Sequence, residues 1–334
     1  MLRRVAALVT ASLLACAGEA TRPPEVAPPP ASPPPEAPAA APIAPVPADI
    51  SPPALEHLGV AVGGHRIQVH VKRPPAPWGA IVLVHGRTWS ALPDFDLQVP
   101  GARVSLMDNL AAEGLAVYAV DLRGYGATAR DPSGYTDSFQ AADDLAAVVG
   151  LAGENLANKP AVLGWSLGAR IAALAAQRHR DAIGPLILYG SPCPPQTPAR
   201  PSAAPPRPPK PPAQAANTEA AARSDFITPE ALEPGVADAF VAAALAADPI
   251  KADWRDVDAW IDFSALRNPV LAIHGDRDPV VDQSCLNERL AQLPGGAQLE
   301  VLPGYDHAAH LERAAPRFAA AVVGFVRKHG VPRG

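Results

Sequence analysis

The tightest constraint on how this chain folds lies in five residues. Residues 160–163 form an apolar run suited to a buried strand, residues 167–179 read as a helix, and Gly164-Trp165-Ser166-Leu167-Gly168 stands at their junction. A chain that passes from strand to helix without a loop must turn sharply, which needs small residues on both sides and strains the backbone at the apex. Such a turn lifts the Ser166 hydroxyl clear of the sheet. It also sets the serine at a helix N-terminus, where N–H groups without acceptors favour developing negative charge.

The flanking sequence supplies the sheet that this turn requires. From residue 55, short apolar runs alternate with helical stretches, the signature of a largely parallel sheet flanked by helices. Residues 58–62 and 66–71, split by Gly63-Gly64, read as an opening hairpin. Residues 80–84, 115–120, 160–163 and 185–189 read as buried strands, and 104–113, 138–151 and 167–179 as helices. The alternation stops at Ser191. Up to about Phe263 the pattern is helical without strands, over 228–232, 236–247 and 257–261. It resumes with strands at 270–274 and 298–302 and helices at 282–293 and 316–329. Residues 55–334 are therefore expected to form one α/β domain around a mostly parallel sheet. Residues 191–263 are expected to form a helical cap inserted after the sixth strand.

Proline marks what lies outside this pattern. Of 42 prolines, 14 fall between Pro23 and Pro53 and 11 between Pro192 and Pro212. Residues 17–54 hold almost no large apolar side chains and cannot offset the entropy of ordering, so they read as a disordered, extended linker. Residues 192–212 read as a Pro-rich loop at the entry to the cap. The balance of 28 Lys+Arg against 33 Asp+Glu gives a net charge of −5, which argues against a nucleic-acid footprint.

Ahead of the linker, Arg3-Arg4 precede an apolar run over residues 5–15 that is too short to span a bilayer and has signal-peptide proportions. It ends Leu13-Leu14-Ala15-Cys16, which resembles the lipobox of bacterial lipoproteins, although Leu14 is bulkier than the residue usual there. The resemblance implies that residues 1–16 are a signal segment and that Cys16 is lipidated. The membrane partner would then be reached through an N-terminal lipid anchor in the cell envelope, and Ala17 points to the outer membrane of a Gram-negative cell. Ordinary signal-peptide cleavage, giving a secreted or periplasmic protein, is the alternative. Cys193 and Cys285 allow one intramolecular pairing in an oxidising envelope, and the sequence leaves open whether they meet.

A serine hydroxyl is a weak nucleophile until a base takes its proton, and a histidine base needs a carboxylate to orient it. The last third of the chain holds both. Asp278, in His274-Gly275-Asp276-Arg277-Asp278, stands just beyond a predicted strand, and His307, in Gly304-Tyr305-Asp306-His307, just beyond the last one. Each is carried to the sheet edge that also carries Ser166. His307 and His310 have helical spacing usable by a metal, but no third ligand stands nearby and no CxxC or HExxH occurs.

Together with His85-Gly86 and Asp121-Leu122-Arg123-Gly124-Tyr125-Gly126, these segments and the His307…His310-Leu311-Glu312 ending fall in an order that resembles the α/β-hydrolase superfamily. The resemblance covers residues 55–334. It implies a triad of Ser166, Asp278 and His307, preferring Asp278 to Asp276 and His307 to His310, with Asp306 another near miss. It implies an oxyanion hole made by the backbone N–H groups of Leu167 and Arg87. The expected activity is that of an esterase- or lipase-like serine hydrolase acting on a small-molecule ester or acyl compound, with no cofactor and no metal. A Ser rather than Asp nucleophile argues against the epoxide hydrolase and haloalkane dehalogenase branches.

Two alternatives keep the same fold: a cofactor-free haloperoxidase or perhydrolase on the same triad, and a non-catalytic, lipid-anchored binding protein. Trp89 and Trp165 flank the predicted site and are candidates either for a substrate pocket or for core packing. Trp254 and Trp260 are expected to pack the cap onto the core. His85 reads as a brace for its own loop, and Asp121 and Arg123 as residues that fix a strand-end turn.

Overall fold

The computed structural model describes residues 52–154, 156–193, 210–256 and 261–330. Cys16, nearly all of the expected linker, residues 194–209 of the Pro-rich loop and Trp260 lie outside the described residues. Eight strands form one sheet: β1 (Leu55–Val62), β2 (His65–Lys72), β3 (Gly79–Val84), β4 (Leu115–Val120), β5 (Ala161–Trp165), β6 (Leu186–Tyr189), β7 (Val270–Gly275) and β8 (Ala297–Leu302). Their spatial order is β1-β2-β4-β3-β5-β6-β7-β8. The hairpin β1–β2 and the pair β2–β4 are antiparallel, and every other pairing is parallel.

The hairpin closes through Gly63 and Gly64, both at positive φ (56° and 81°), the backbone that a two-residue turn between twisted strands demands. The parallel strands β3 to β7 are buried along their whole length, as continuous apolar runs require when helices cover both faces. One face carries α3 (Ser138–Gly153) and α4 (Leu167–Arg178), the other α2 (Leu106–Ala112) and α8 (Ala315–Gly330). Alternate residues of β3 divide between them: Val82 and Val84 join the first core, Ile81 and Leu83 the second. Strand order reverses beside β3, so the carboxyl ends of β3 and β5 open onto the crevice where α/β sheets bind ligands.

The insertion follows β6, the sixth strand of this sheet, as the sequence predicts. It contains α5 (Glu219–Arg223), a 3-10 turn at Pro229–Ala231 and α6 (Val236–Ala247). The expected helix over 228–232 shrinks to that single turn because Pro229 and Pro234 bracket it, and a proline cannot extend a helix past itself. The expected helix over 257–261 lies almost entirely outside the described residues. A short strand, Trp254–Asp256, pairs in parallel with Thr136–Asp137 where no strand was expected; at three residues it is too short to show a period. Also unexpected is α1 (Ala91–Phe95), a five-residue helix with Pro93 inside it. The helix expected from residue 104 starts at Leu106 because the Ser105 hydroxyl caps it, accepting the Asp108 N–H at 3.0 Å.

Cys193 and Cys285 form a disulfide, with Cα atoms 6.1 Å apart. It ties the chain just beyond β6 to the first turn of α7 (Gln283–Leu290).

Candidate active site

Ser166 sits at φ 55° and ψ −117°, and among the described residues it is the one non-glycine at positive φ. The strain is held by close packing on both sides. A Cβ on Gly164 would lie 2.1 Å from the Gly168 carbonyl oxygen, and one on Gly168 would lie 2.2 Å from the Val84 oxygen at the end of β3. No side chain fits at either position, which is why the turn reads Gly-x-Ser-x-Gly. The Ser166 N–H donates to Tyr189 O of β6 at 2.8 Å, pinning the apex across the neighbouring strand. The serine stays partly exposed.

Asp278 and His307 meet beside this apex. The His307 Nδ1 lies 2.8 Å from Asp278 Oδ2, with side-chain exposures of 10% and 0%. An ionised carboxylate only accepts, so Nδ1 is the donor of this bond, and in the neutral tautomer that makes it Nε2 is the acceptor. Asp278 Oδ1 takes the Val280 N–H at 2.8 Å, which fixes the carboxylate plane. Asp276, by contrast, is exposed and accepts the Gly304 N–H at 2.7 Å. The His307 ring packs at 5.4 Å between centroids on Trp165, the residue before Ser166. Gly190, at φ 53°, gives the ring room: a Cβ there would stand 2.9 Å from Nδ1 and Cε1.

Trp165 is buried, and its Nε1 donates to the His307 carbonyl at 2.9 Å. Tyr189 Oη lies 2.7 Å from the same carbonyl. The structure therefore uses Trp165 to hold the backbone of His307 and brings its indole against the histidine ring. His310 turns the other way, donating from Nε2 to Asp94 O at 2.8 Å, and burial pushes it down to about 3, so it is neutral. Its Nδ1 lies 3.0 Å from Tyr189 Oη, so both ring nitrogens of His310 have hydrogen-bond partners.

The loop after β3 forms the other wall. His85 is fully buried; its Nδ1 donates to Gly86 O at 2.8 Å and its Nε2 accepts the Leu122 N–H at 3.1 Å, and burial lowers its pKa. It braces the loop as a neutral ring. A Cβ on Gly86 would stand 3.8 Å from Ser166 Cβ, so this loop lines the flank of the serine. The Gly86 N–H donates to Asp94 Oδ2 at 3.2 Å and Tyr125 Oη donates to Arg87 O. Burial, reinforced by Asp225, raises Asp94 well above the carboxylate range. Leu167 opens α4, so its N–H has no acceptor within the helix. Trp89 is buried too: Nε1 donates to Asp225 Oδ2 at 2.7 Å, and its ring meets Phe240 edge-on at 6.2 Å.

Asp121 accepts the Ala91 and Ala127 N–H groups at 3.0 and 2.9 Å and pairs with His70 at 2.9 Å. Arg123 binds Asp144 and Asp131 at 2.7 and 3.0 Å. Both fix the turns that the sequence assigned to them. Asp225, Asp248 and Tyr189 had no sequence signal, because each acts on a partner far along the chain; Asp225 and Trp89 are 136 residues apart, Asp248 and Ser90 158.

Glu312 underlies the histidine loop and is fully buried. Its Oε2 accepts the Asp306 N–H at 3.2 Å, while Oε1 has no partner among the described residues. Burial, then the neighbouring Asp306 carboxylate, push its pKa up to about 8. The folded state thus holds a proton that the unfolded chain releases near pH 4.5. Stability from this group is complete below that pH and is lost as pH climbs through 8, by about 1.4 kcal/mol per unit across the window. Glu312→Gln keeps the shape and removes the titration. Its melting temperature should gain on wild type steadily between pH 5 and 8, and melting curves that stay parallel across that range would exclude the assignment.

A parallel sheet with a serine on a strand-to-helix turn, and a histidine–carboxylate pair carried beside it by later strand ends, defines the α/β-hydrolase fold. The model of the alpha/beta hydrolase family matches residues 81–321, and the chain belongs to that family. It is 27% identical over 275 residues to a monoacylglycerol lipase of Mycolicibacterium smegmatis, covering 75% of this chain and 89% of that one. Among solved structures, the esterase RhEst1 from Rhodococcus sp. ECU1013 is similar at a TM-score of 0.59 and 23% identity, over 83% of this chain and 99% of that one. A thermophilic esterase from Thermogutta terrifontis gives 0.58 and 21%, over 82% and 98%. At these identities the two structures show the shared fold.

Proposed function

We propose that the protein is a serine hydrolase that cleaves a small-molecule ester or related acyl bond through Ser166, His307 and Asp278. The observation that carries the reading is the His307 ring held with Nδ1 2.8 Å from Asp278 Oδ2 and packed on the residue that precedes the strained serine. Nε2 takes the Ser166 proton as Oγ attacks the carbonyl carbon. Asp278 stays ionised and stabilises the imidazolium that results. The N–H groups of Leu167 and Arg87 receive the oxyanion, each worth about 2.7–4 kcal/mol because it meets charge absent from the substrate carbonyl. Nε2–H then protonates the leaving alkoxide; water, deprotonated by the same nitrogen, attacks the acyl carbon, and Nε2–H returns that proton to Ser166 Oγ as the acid is released.

The monoacylglycerol lipase relative makes a glycerol monoester a natural first natural-substrate trial beside synthetic nitrophenyl esters. The test is to treat the full chain with a fluorophosphonate and map the adduct. Modification of Ser166, with nitrophenyl acetate or butyrate turnover lost in proportion, is the expected result. An adduct on another residue, or no adduct and no turnover, would sink the proposal.

A further inference from the structure

One short segment of the insertion, residues 225–228, contacts both the loop after β3 and the loop that carries His307. At its start the Asp225 side chain accepts the Trp89 indole N–H at 2.7 Å, and Trp89 lies two residues past Arg87 in the loop beside Ser166. At its end the backbone N–H groups of Ile227 and Thr228 donate to Asp306 Oδ2 at 2.8 and 2.5 Å. Asp306 directly precedes His307, and its other oxygen takes the Ala308 N–H at 2.9 Å. Its carboxylate therefore joins the histidine loop to the insertion. Between the two ends, Phe226 is buried edge-on against Phe240 of α6 at 5.1 Å, the same ring that meets Trp89. A second carboxylate from the insertion, Asp248, accepts the Ser90 N–H at 2.7 Å and the Gly126 N–H at 2.8 Å.

The loops after β3 and β8 approach the site from opposite sides of the switch point; no strand pairing joins them, and the His310 Nε2 bond to Asp94 O at 2.8 Å ties them well away from Arg87 in sequence. Their relative placement decides whether an oxyanion donor and a proton acceptor serve the same carbonyl. Misplacing such groups by about 1 Å costs on the order of a hundredfold in rate. We infer that residues 225–228 are a strap that positions the Arg87 loop against the His307 loop, with Asp225 and Asp306 as its positioning residues. Asp225 is well suited to this. Burial pushes it up to about 6, opposed by the Trp89 hydrogen bond, and the His307 ring is near enough to lower it further. The strap acts through the two loops and touches no bond that changes. It deepens the proposed hydrolase reading and rests on it.

The experiment is a double-mutant cycle in the full chain, with kcat and KM measured on nitrophenyl acetate, a substrate too small to need the insertion for binding. Trp89→Phe keeps the ring on Phe240 and removes the N–H; Asp225→Ala removes the acceptor. Each should lower kcat by about tenfold with KM within about twofold, and the double variant should be no slower than either single, since one hydrogen bond is being removed twice. Asp225→Asn, whose amide oxygen still accepts, should recover most of the loss. Asp306→Ala, which frees the other end, should lower kcat by a similar factor, with its fluorophosphonate labelling slowed to match. Additive effects in the cycle, changes confined to KM, or no recovery in Asp225→Asn would overturn the strap. A wild-type chain that fails to turn over the ester would instead overturn the hydrolase reading beneath it.

Discussion

Ser166→Ala is expected to lower ester turnover by about five to six orders of magnitude while leaving the melting temperature unchanged. The alanine keeps the strained φ of 55° and the packing of Gly164 and Gly168, so the elbow itself persists. His307→Ala should cost about as much, and the double variant no more than either, because nucleophile and base act as one unit. Asp278→Asn is the more discriminating change. An amide NH2 facing Nδ1 would push the ring proton to Nε2, where it blocks acceptance of the serine proton, so a loss of about 10⁴ is expected with the geometry intact. Ser166→Gly adds a stability arm: glycine adopts positive φ freely, so this dead variant should melt higher than wild type, by about 1 kcal/mol. Parallel measurement of kcat and thermal melting checks all five variants. Appreciable turnover by Ser166→Ala would remove the serine from the mechanism.

What the sequence discloses and what it hides divide along the range of the contacts. The turn at Ser166 is legible because its pattern is local: a Cβ on Gly164 would strike the Gly168 carbonyl four residues on, although the demand for glycine at 168 itself comes from the Val84 oxygen at the end of β3. The order of strands is legible because fully buried strands are continuous apolar runs, and the fold then places the residues after β7 and β8 at one rim. Five-residue α1 and three-residue Trp254–Asp256 are illegible because neither completes a period. The roles of Trp89 and Trp165 stay open in the sequence because an indole's place depends on what its N–H finds. Here those partners are Asp225 and the His307 carbonyl, 136 and 142 residues away. Asp306 reads as a near miss for the acid of the triad. In the fold its carboxylate is spent on backbone N–H groups of the insertion, which only the tertiary structure brings within reach.

The Cys193–Cys285 disulfide should be the largest single contributor to stability. Its partners are 92 residues apart, and closing a loop of that length removes denatured-state entropy worth about 4–5 kcal/mol in the chain-entropy limit. Folded domains are typically stable by about 5–15 kcal/mol, so this is a large share of the whole. The loop it closes contains nearly the whole insertion and β7, which along the chain is joined to β6 only through the insertion. The bond also anchors the segment that follows Gly190, where the chain passes the His307 ring, to a helix whose first turn is capped by Asp282 on the Cys285 N–H at 3.0 Å. A Cys193→Ser/Cys285→Ser variant should therefore melt on the order of 10 °C below wild type. Reduced wild type should match it, and reductant should have no further effect on the variant. Activity at 25 °C should survive, because no hydrogen bond of the Asp278–His307 pair or of the Ser166 turn runs through sulfur. A wild-type melting temperature that reductant leaves unmoved would show that the unfolded chain is held together by something other than this bond.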